Sequence, residues 1–221
     1  MIELIEVCKT YQYGNEVTKA LDNVNLTIND GELIAVIGNS GSGKSTLLNI
    51  IGCMDTMDSG KFLLNGKEVP QKKRNELHKI RKNNISFIFQ NFALLNHYTV
   101  FENVEVPLLA KKVSKKERKN IIQEKLELMG IADLQNKLPT KISGGQQQRC
   151  AIARALASDN DIILGDEPTG ALDSKTGDDI MKVLKSLHQM GKTIIIVTHN
   201  MEIAHQADRI FKMEDGKITE Y

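Results

Sequence analysis

Leu33-Ile34-Ala35-Val36-Ile37-Gly38-Asn39-Ser40-Gly41-Ser42-Gly43-Lys44-Ser45 runs from a continuous apolar block through a glycine-rich loop into a helical pattern. The block follows the Asn29-Asp30-Gly31 turn and reads as a strand covered on both faces. Beyond Lys44, Leu47, Leu48 and Ile51 recur at helical spacing, so a helix packs beneath the loop. Gly38 and Gly43 let the intervening backbone turn tightly, and its N–H groups then converge on an anion at the helix N-terminus. Lys44 is placed to reach the β- and γ-phosphates of a nucleoside triphosphate, and the Ser45 hydroxyl to coordinate Mg²⁺.

Outward from this unit, Ile85–Phe89, Ile162–Leu164 and Thr193–Val197 are three more short buried strands separated by helical segments. That alternation indicates an α/β architecture with a largely parallel sheet. The N-terminal stretch carries strand-like pieces, Ile2–Val7 and Val24–Ile28, whose apolar residues alternate imperfectly. Between Asn91 and Ala157 the character changes. Lys115–Met129 predicts an amphipathic helix with Ile121, Ile122, Leu126 and Met129 on one side, stopped by Gly130, and a second helix begins just after Ser143. This region reads as a helical lobe inserted into the α/β core.

With 221 residues, the chain suits one domain, and its 41% apolar share supplies a sizeable core. No apolar run approaches the roughly 20 residues that cross a bilayer, and no secretion signal is visible. Cys8, Cys53 and Cys150 lie far apart, as free thiols in a reducing compartment would. The net charge of +1 argues against a protein built to grip nucleic acid.

Asp166 ends the strand Ile162-Ile163-Leu164-Gly165-Asp166 and Glu167 follows it. The strand end delivers Asp166 to a metal and leaves Glu167 to polarise a water, a general-base role. A solvated Asp-Glu loop is the alternative; the apolar run before the pair and the Pro168-Thr169-Gly170 turn after it weigh against that. His199 sits at the mouth of Thr193–Val197, and Gln90 closes Ile85–Phe89. His78, His97, His188 and His205 have no such context and are expected at the surface.

The segment Ser143-Gly144-Gly145-Gln146-Gln147, between the glycine loop and the Asp-Glu strand, narrows the choice among nucleotide-binding proteins. With it, the chain resembles the ATP-binding cassette (ABC) ATPases over essentially its whole length. The resemblance implies a P-loop NTPase core with a largely parallel sheet, an N-terminal antiparallel β subdomain and an inserted α-helical lobe. The division it implies within a single 1–221 domain is 1–90 and 158–221 for the core and 91–157 for the lobe. It implies ATP and Mg²⁺ as cofactors, with Glu167, His199 and Gln90 catalytic and with Ser45, Gln90 and Asp166 around the metal. Nucleotide contacts would come from Gly38, Asn39, Ser40, Gly41, Ser42, Gly43, Lys44, Ser45 and Thr46, with Tyr11 stacking on adenine. Tyr13 competes with Tyr11 for that stacking role, and either could be a core aromatic. Ser143, Gly145 and Gln146 would act on ATP held by a second copy, making a homodimer with nucleotide at its seam. Asp173, in Ala171-Leu172-Asp173, would lie in the loop that couples the two sites, or serve as a helix N-cap, or both.

Lys44–Asp55, Phe101–Leu108 and Glu167–Gly177 resemble one subgroup, the lipoprotein-release, macrolide-export and antimicrobial-peptide-resistance ATPases. Its partners are integral membrane permeases with large extracytoplasmic domains, which places the chain peripherally on the cytoplasmic face of the cell membrane. Asn91–Pro107 would form the groove for the partner's coupling helix, although Phe92, Leu94, Leu95 and Phe101 serve equally as lobe core. The basic residues Lys111, Lys112, Lys115, Lys116, Arg118 and Lys119 read as a solvated helix face, with anionic lipid the alternative. Ile142, Gly165, Cys150 and Asn200 depart mildly from the family pattern and remove no chemical group. A nucleotide-gated regulatory module without substrate flux is the competing function. A soluble cassette of DNA repair or translation would carry long coiled-coil insertions or tandem cassettes, which are not seen here.

Overall fold

The computed structural model describes residues 1–71 and 73–221, apart from the side chain of Tyr13. The chain opens with a long antiparallel pair, β1 (Ile2–Tyr13) and β2 (Glu16–Ile28). Then come β3 (Leu33–Ile37), α1 (Lys44–Ile51), β4 (Ser59–Leu64), β5 (Lys67–Glu68), α2 (Arg74–Asn84) and β6 (Ile85–Ile88). Three helices follow, α3 (Val100–Ala110), α4 (Lys115–Leu128) and α5 (Gly144–Ala157). The remainder is β7 (Ile162–Asp166), α6 (Ser174–Gln189), β8 (Thr193–Val197), α7 (Met201–Ala204), β9 (Arg209–Glu214) and β10 (Lys217–Glu220).

Two sheets result. One is antiparallel in the order β2-β1-β4-β5; the other runs β10-β9-β3-β8-β7-β6, parallel except for the β10 edge. The expected α/β class with an N-terminal antiparallel sheet is therefore the architecture found. β1 and β2 are longer than the sequence suggested because bulges break their alternation. Glu6 (φ 50°) and Asn23 (φ 55°) sit at shifts in register, so buried positions move from Ile2 and Leu4 to Val7.

The central strands alternate between two cores. Ile34, Val36, Leu164, Ile195 and Val197 face α1 and the antiparallel sheet, whereas Ile163, Ile194 and Ile196 face α3, α4, α5 and α6. Each fully buried Leu or Ile of this kind stabilises the fold by about 1.5–3 kcal/mol relative to exposure. Ile122, Leu126 and Met129 of the predicted amphipathic helix are buried as expected, and Gly130 ends it at φ 64°.

Because β3, β8, β7 and β6 are parallel neighbours, their C-terminal ends open on one edge of the sheet. Gly38, Gln90, Asp166, Glu167 and His199 all follow or close those strands, so topology gathers residues from four distant stretches.

Two surface expectations change. His188 is half-buried, with its Nε2 3.1 Å from an Asp208 carboxylate oxygen. Within the basic run, the Lys111 Nζ donates to the Asn160 side chain (2.8 Å) and to the Ser158 carbonyl, and Arg118 pairs with Glu105 at 2.7 Å. Lys111 ties the end of α3 to the residues that follow α5, and Arg118 ties α4 to α3; Lys112, Lys115, Lys116 and Lys119 remain exposed.

Candidate active site

The glycine loop is held so closely that side chains are excluded at its ends. A Cβ at Gly38 (φ 153°) would lie 2.2 Å from the Met213 carbonyl oxygen, and one at Gly43 (φ 104°) 2.2 Å from that of Ala20. Lys44 curls back beneath the loop, its Nζ donating to the carbonyls of Gly38 (2.8 Å) and Asn39 (2.7 Å). Burial pulls the Lys44 ammonium below its ordinary range, and the Glu167 and Asp166 carboxylates oppose that pull. The first turn of α1 carries no acidic side chain, and the Ser42 hydroxyl is buried with no partner among the described residues. A loop rich in unclaimed donors, with one cation below it, suits the oxygens of a polyphosphate.

Beside the loop, the last residue of β7 presents Asp166 to the Ser45 hydroxyl. Burial raises the Asp166 carboxyl above its usual range, the Ser45 hydrogen bond counters, Glu167 adds to the rise and Lys44 counters it. Glu167 turns out of the strand in a left-handed conformation (φ 46°) while its N–H donates to the Val197 carbonyl at 2.9 Å. One carboxylate oxygen is 2.9 Å from His199 Nδ1, and the other accepts from Gln90 Nε2 at 3.0 Å. Tyr11, the glycine loop, Lys44, Ser45, Thr46, Gln90, Asp166, Glu167 and His199 thus line one open cleft of about 650 Å³. Ser42 lies behind it, in a separate hollow beneath the β9–β10 turn.

Ser143, Gly145, Gln146 and Asp173 do not line that cleft. Ser143 caps α5: its Oγ accepts from the Gln146 N–H (3.3 Å) while the Gln146 side-chain oxygen accepts from the Ser143 N–H (2.9 Å). Gly145 packs on α6, where a Cβ would meet Thr176 Cγ2 at 2.9 Å. Asp173 is the N-cap of α6, accepting from the Thr176 N–H (3.0 Å) and hydroxyl (2.7 Å), which hold its carboxyl below the usual range. It lines a neighbouring cavity of about 230 Å³ that shares Glu167 and His199 with the main cleft.

Comparison with protein families matches the ABC transporter family over residues 21–170. The chain belongs to the ABC transporter family. It is an ABC ATPase by fold and by the residues that line its cleft. It is 46% identical over 218 residues to an uncharacterized ABC transporter ATP-binding protein of Thermotoga maritima, covering 99% of this chain and 93% of the relative. It is 44% identical to the macrolide export ATP-binding/permease protein MacB of Bartonella quintana, again over 99% of this chain but only 33% of the relative. Among solved structures, the dimeric post-hydrolysis state of the ATP-binding cassette MJ0796 bound to ADP and Pi superposes with a TM-score of 0.94. That match has 45% identity and covers 100% of this chain and 98% of the other.

In this ABC ATPase, several residues around the cleft gave no signal in sequence. Lys9 and Asp55 lie behind Tyr11: the Tyr11 hydroxyl donates to Asp55 at 2.6 Å, and Lys9 Nζ bonds Asp55 at 3.2 Å. On α5, the buried Gln148 amide donates to the Pro168 carbonyl, next to Glu167. Arg154 donates to the carbonyls of Phe92 (2.8 Å) and Ala93 (2.6 Å), both left-handed residues just beyond Gln90. Tyr11 itself lies within β1, paired with Thr18; the Tyr13 side chain lies outside the described residues. Leu94 and Phe101 pack on the second core, whereas Leu95 is exposed.

Proposed function

We propose that this ABC ATPase works as a homodimer that closes around ATP and drives an integral membrane permease with large extracytoplasmic domains. The observation that carries the reading is the division of the site. The phosphate loop, Asp166 and Glu167 share one cleft, while Ser143, Gly145 and Gln146 stand apart at the N-terminus of α5. A second copy brings that N-terminus, with its free amides and positive dipole end, over the γ-phosphate. Support comes from the dimeric MJ0796 cassette with ADP and Pi, and from MacB, whose name joins an ATP-binding part to a permease.

Within one cleft, the loop amides and Lys44 bind the β- and γ-phosphates. Ser45, Asp166 and the Gln90 side-chain oxygen fit Mg²⁺, a hard cation that takes oxygen ligands. Among the described residues no group of three His, Cys, Asp or Glu could hold a metal, and these three oxygens would hold the ion together with the bound nucleotide. When bound, Mg²⁺ supplies positive charge to the phosphate oxygens. Glu167 takes the proton of the water that attacks the γ-phosphorus, with Gln90 and His199 fixing its two oxygens, and ADP leaves. Loss of the γ-phosphate removes the bridge between copies, and the dimer opens.

Among the described residues no helix is long and apolar enough to cross a membrane, and in this reading the permease partner carries the membrane attachment. Leu95, Tyr98, Val106 and Leu109, exposed on and before α3, are the surface offered to it. The lobe 91–157 then rocks against the core 1–90 and 158–221 and passes that motion to the permease as force or export. Glu167→Gln tests the division of the site. The variant is expected to lose about 10²- to 10⁴-fold in kcat and to accumulate as an ATP-dependent dimer in light scattering; a persistent monomer sinks the reading.

A further inference from the structure

Lys9 is a lysine removed from water. It is 8% exposed, and its Nζ is bonded to the Thr56 carbonyl (2.6 Å) and to Asp55 (3.2 Å), with Asp58 at 3.8 Å. A buried ion pair is weak evidence of stabilisation, since desolvation of both charges offsets their attraction. Its value here is positional. The second carboxylate oxygen of Asp55 takes the Tyr11 hydroxyl at 2.6 Å, the short distance of a charge-assisted O–H···O⁻ bond. Lys9 also places its ammonium 5.1 Å from the Tyr11 ring centroid, over one face of the ring. Tyr11 is therefore held by its tip and covered on one side, while it lines the same cleft as Lys44 and Ser45. Among the described residues it is the only phenol ring lining that cleft.

We propose that Asp55, with Lys9, is the positioning residue for nucleobase binding: it holds the Tyr11 ring at the tilt on which the purine stacks. The proposal rests on the reading of Tyr11 as the base-stacking residue. Stacking demands a ring at a set tilt, and a half-buried tyrosine without an anchor would lose rotamer freedom each time it binds. The anchor removes that cost in advance. Binding energy from the base appears in KM for ATP, whereas kcat is set at the far end of the cleft, by Glu167.

The experiment compares Tyr11→Phe, Asp55→Ala and Tyr11→Ala in the full chain, measuring ATP hydrolysis and calorimetric binding of inorganic tripolyphosphate, which has no base. Tyr11→Phe keeps the ring and the Lys9–Asp55 pair, so it separates the anchor from any folding defect that Asp55→Ala causes by stranding Lys9. A stacked aromatic pair contributes a factor of about 2–12 in affinity. Tyr11→Phe and Asp55→Ala are expected to raise KM for ATP within about that range, with kcat and tripolyphosphate affinity unchanged. The double variant is expected to be no worse than either single one, because both remove the same bond. If Tyr11→Ala raises KM but Tyr11→Phe leaves it as in the parent, the ring binds the base and the anchor is refuted. If Tyr11→Ala itself leaves KM unchanged, the stacking reading falls and the anchor with it. A parallel loss of tripolyphosphate affinity in Tyr11→Phe overturns the proposal too, since the effect then lies in the fold of the cleft.

Discussion

Replacing Gln148 by Met separates a positioning bond from a stabilising one. The Gln148 amide is 1% exposed, donates its Nε2 to the Pro168 carbonyl, and leaves its own Oε1 buried with no partner among the described residues. Methionine is unbranched, of similar length, and fills the same space. Two costs then change together. The Pro168 carbonyl loses its donor, at about 1–3 kcal/mol, while the orphaned Oε1 disappears and returns a similar amount. Stability should shift by no more than about 1 kcal/mol, or about 2–4 °C in melting temperature for a chain of this size. Catalysis has no such compensation. Pro168 adjoins Glu167, so a carbonyl seeking a new donor drags the base from its place between Gln90 and His199. The free energy available for that shift, again about 1–3 kcal/mol, corresponds to roughly a 5- to 150-fold fall in kcat, with KM for ATP near the parent value. Steady-state hydrolysis and thermal melts on one preparation check both parts. A kcat within twofold of the parent shows that the bond positions nothing. A melting temperature lowered by more than about 10 °C shows instead that Gln148 is simply a core residue.

Asp166→Asn is expected to raise the melting temperature of nucleotide-free protein near neutral pH. Burial raises the folded-state carboxyl above its unfolded value, so the folded protein binds that proton more tightly, and the charged form is a cost present above both values. The gain should therefore shrink as pH falls through and below the ordinary carboxylate range; a gain independent of pH contradicts it. Of the three free cysteines, only Cys8 should react quickly with a thiol reagent in the native state. Burial pushes the thiols of Cys53 and Cys150 up to about 11 and about 12, whereas Cys8 is half-buried, and adduct mapping by mass spectrometry decides.

Residues declared themselves in sequence where function and strand geometry coincide. The runs Leu33–Ile37 and Thr193–Val197 are the strands β3 and β8 to the residue, because strands buried on both faces leave no polar position to blur their limits. Asp166 and Glu167 could be read from the apolar strand that carries them to its C-terminal end, whereas Gln90 and His199, also at strand ends, took their roles from the family resemblance. β9, β10 and α2 went unread. β9 alternates buried Phe211 and Met213 with exposed Lys212 and Glu214, a half-buried pattern too short to stand out, and α2 buries only Leu77. Asp55 and Lys9 were illegible for another reason. Their role depends on a contact across 46 residues, made by folding β1 over the end of α1. No local spacing encodes that contact.

The N-terminus of α5 is far from inert within one copy. Gly145 lies on Thr176 and Arg149 reaches Asp179 at 3.5 Å, so α5 rides on α6, whose cap is Asp173. In its middle, Gln148 holds the Pro168 carbonyl one residue from Glu167; near its end, Arg154 holds Phe92 and Ala93, two and three residues from Gln90. Glu167 and Gln90 meet at 3.0 Å. One rigid helix thus grips both loops that carry that contact, and both loops leave their strands in left-handed turns with little slack. If a second copy's nucleotide pulls on Ser143, as proposed, α5 cannot move without changing the distance between base and glutamine. A signal from across the seam then needs no long pathway: it passes along α5 from Ser143 to Gln148 and Arg154, and from them to the carboxylate proposed to activate water.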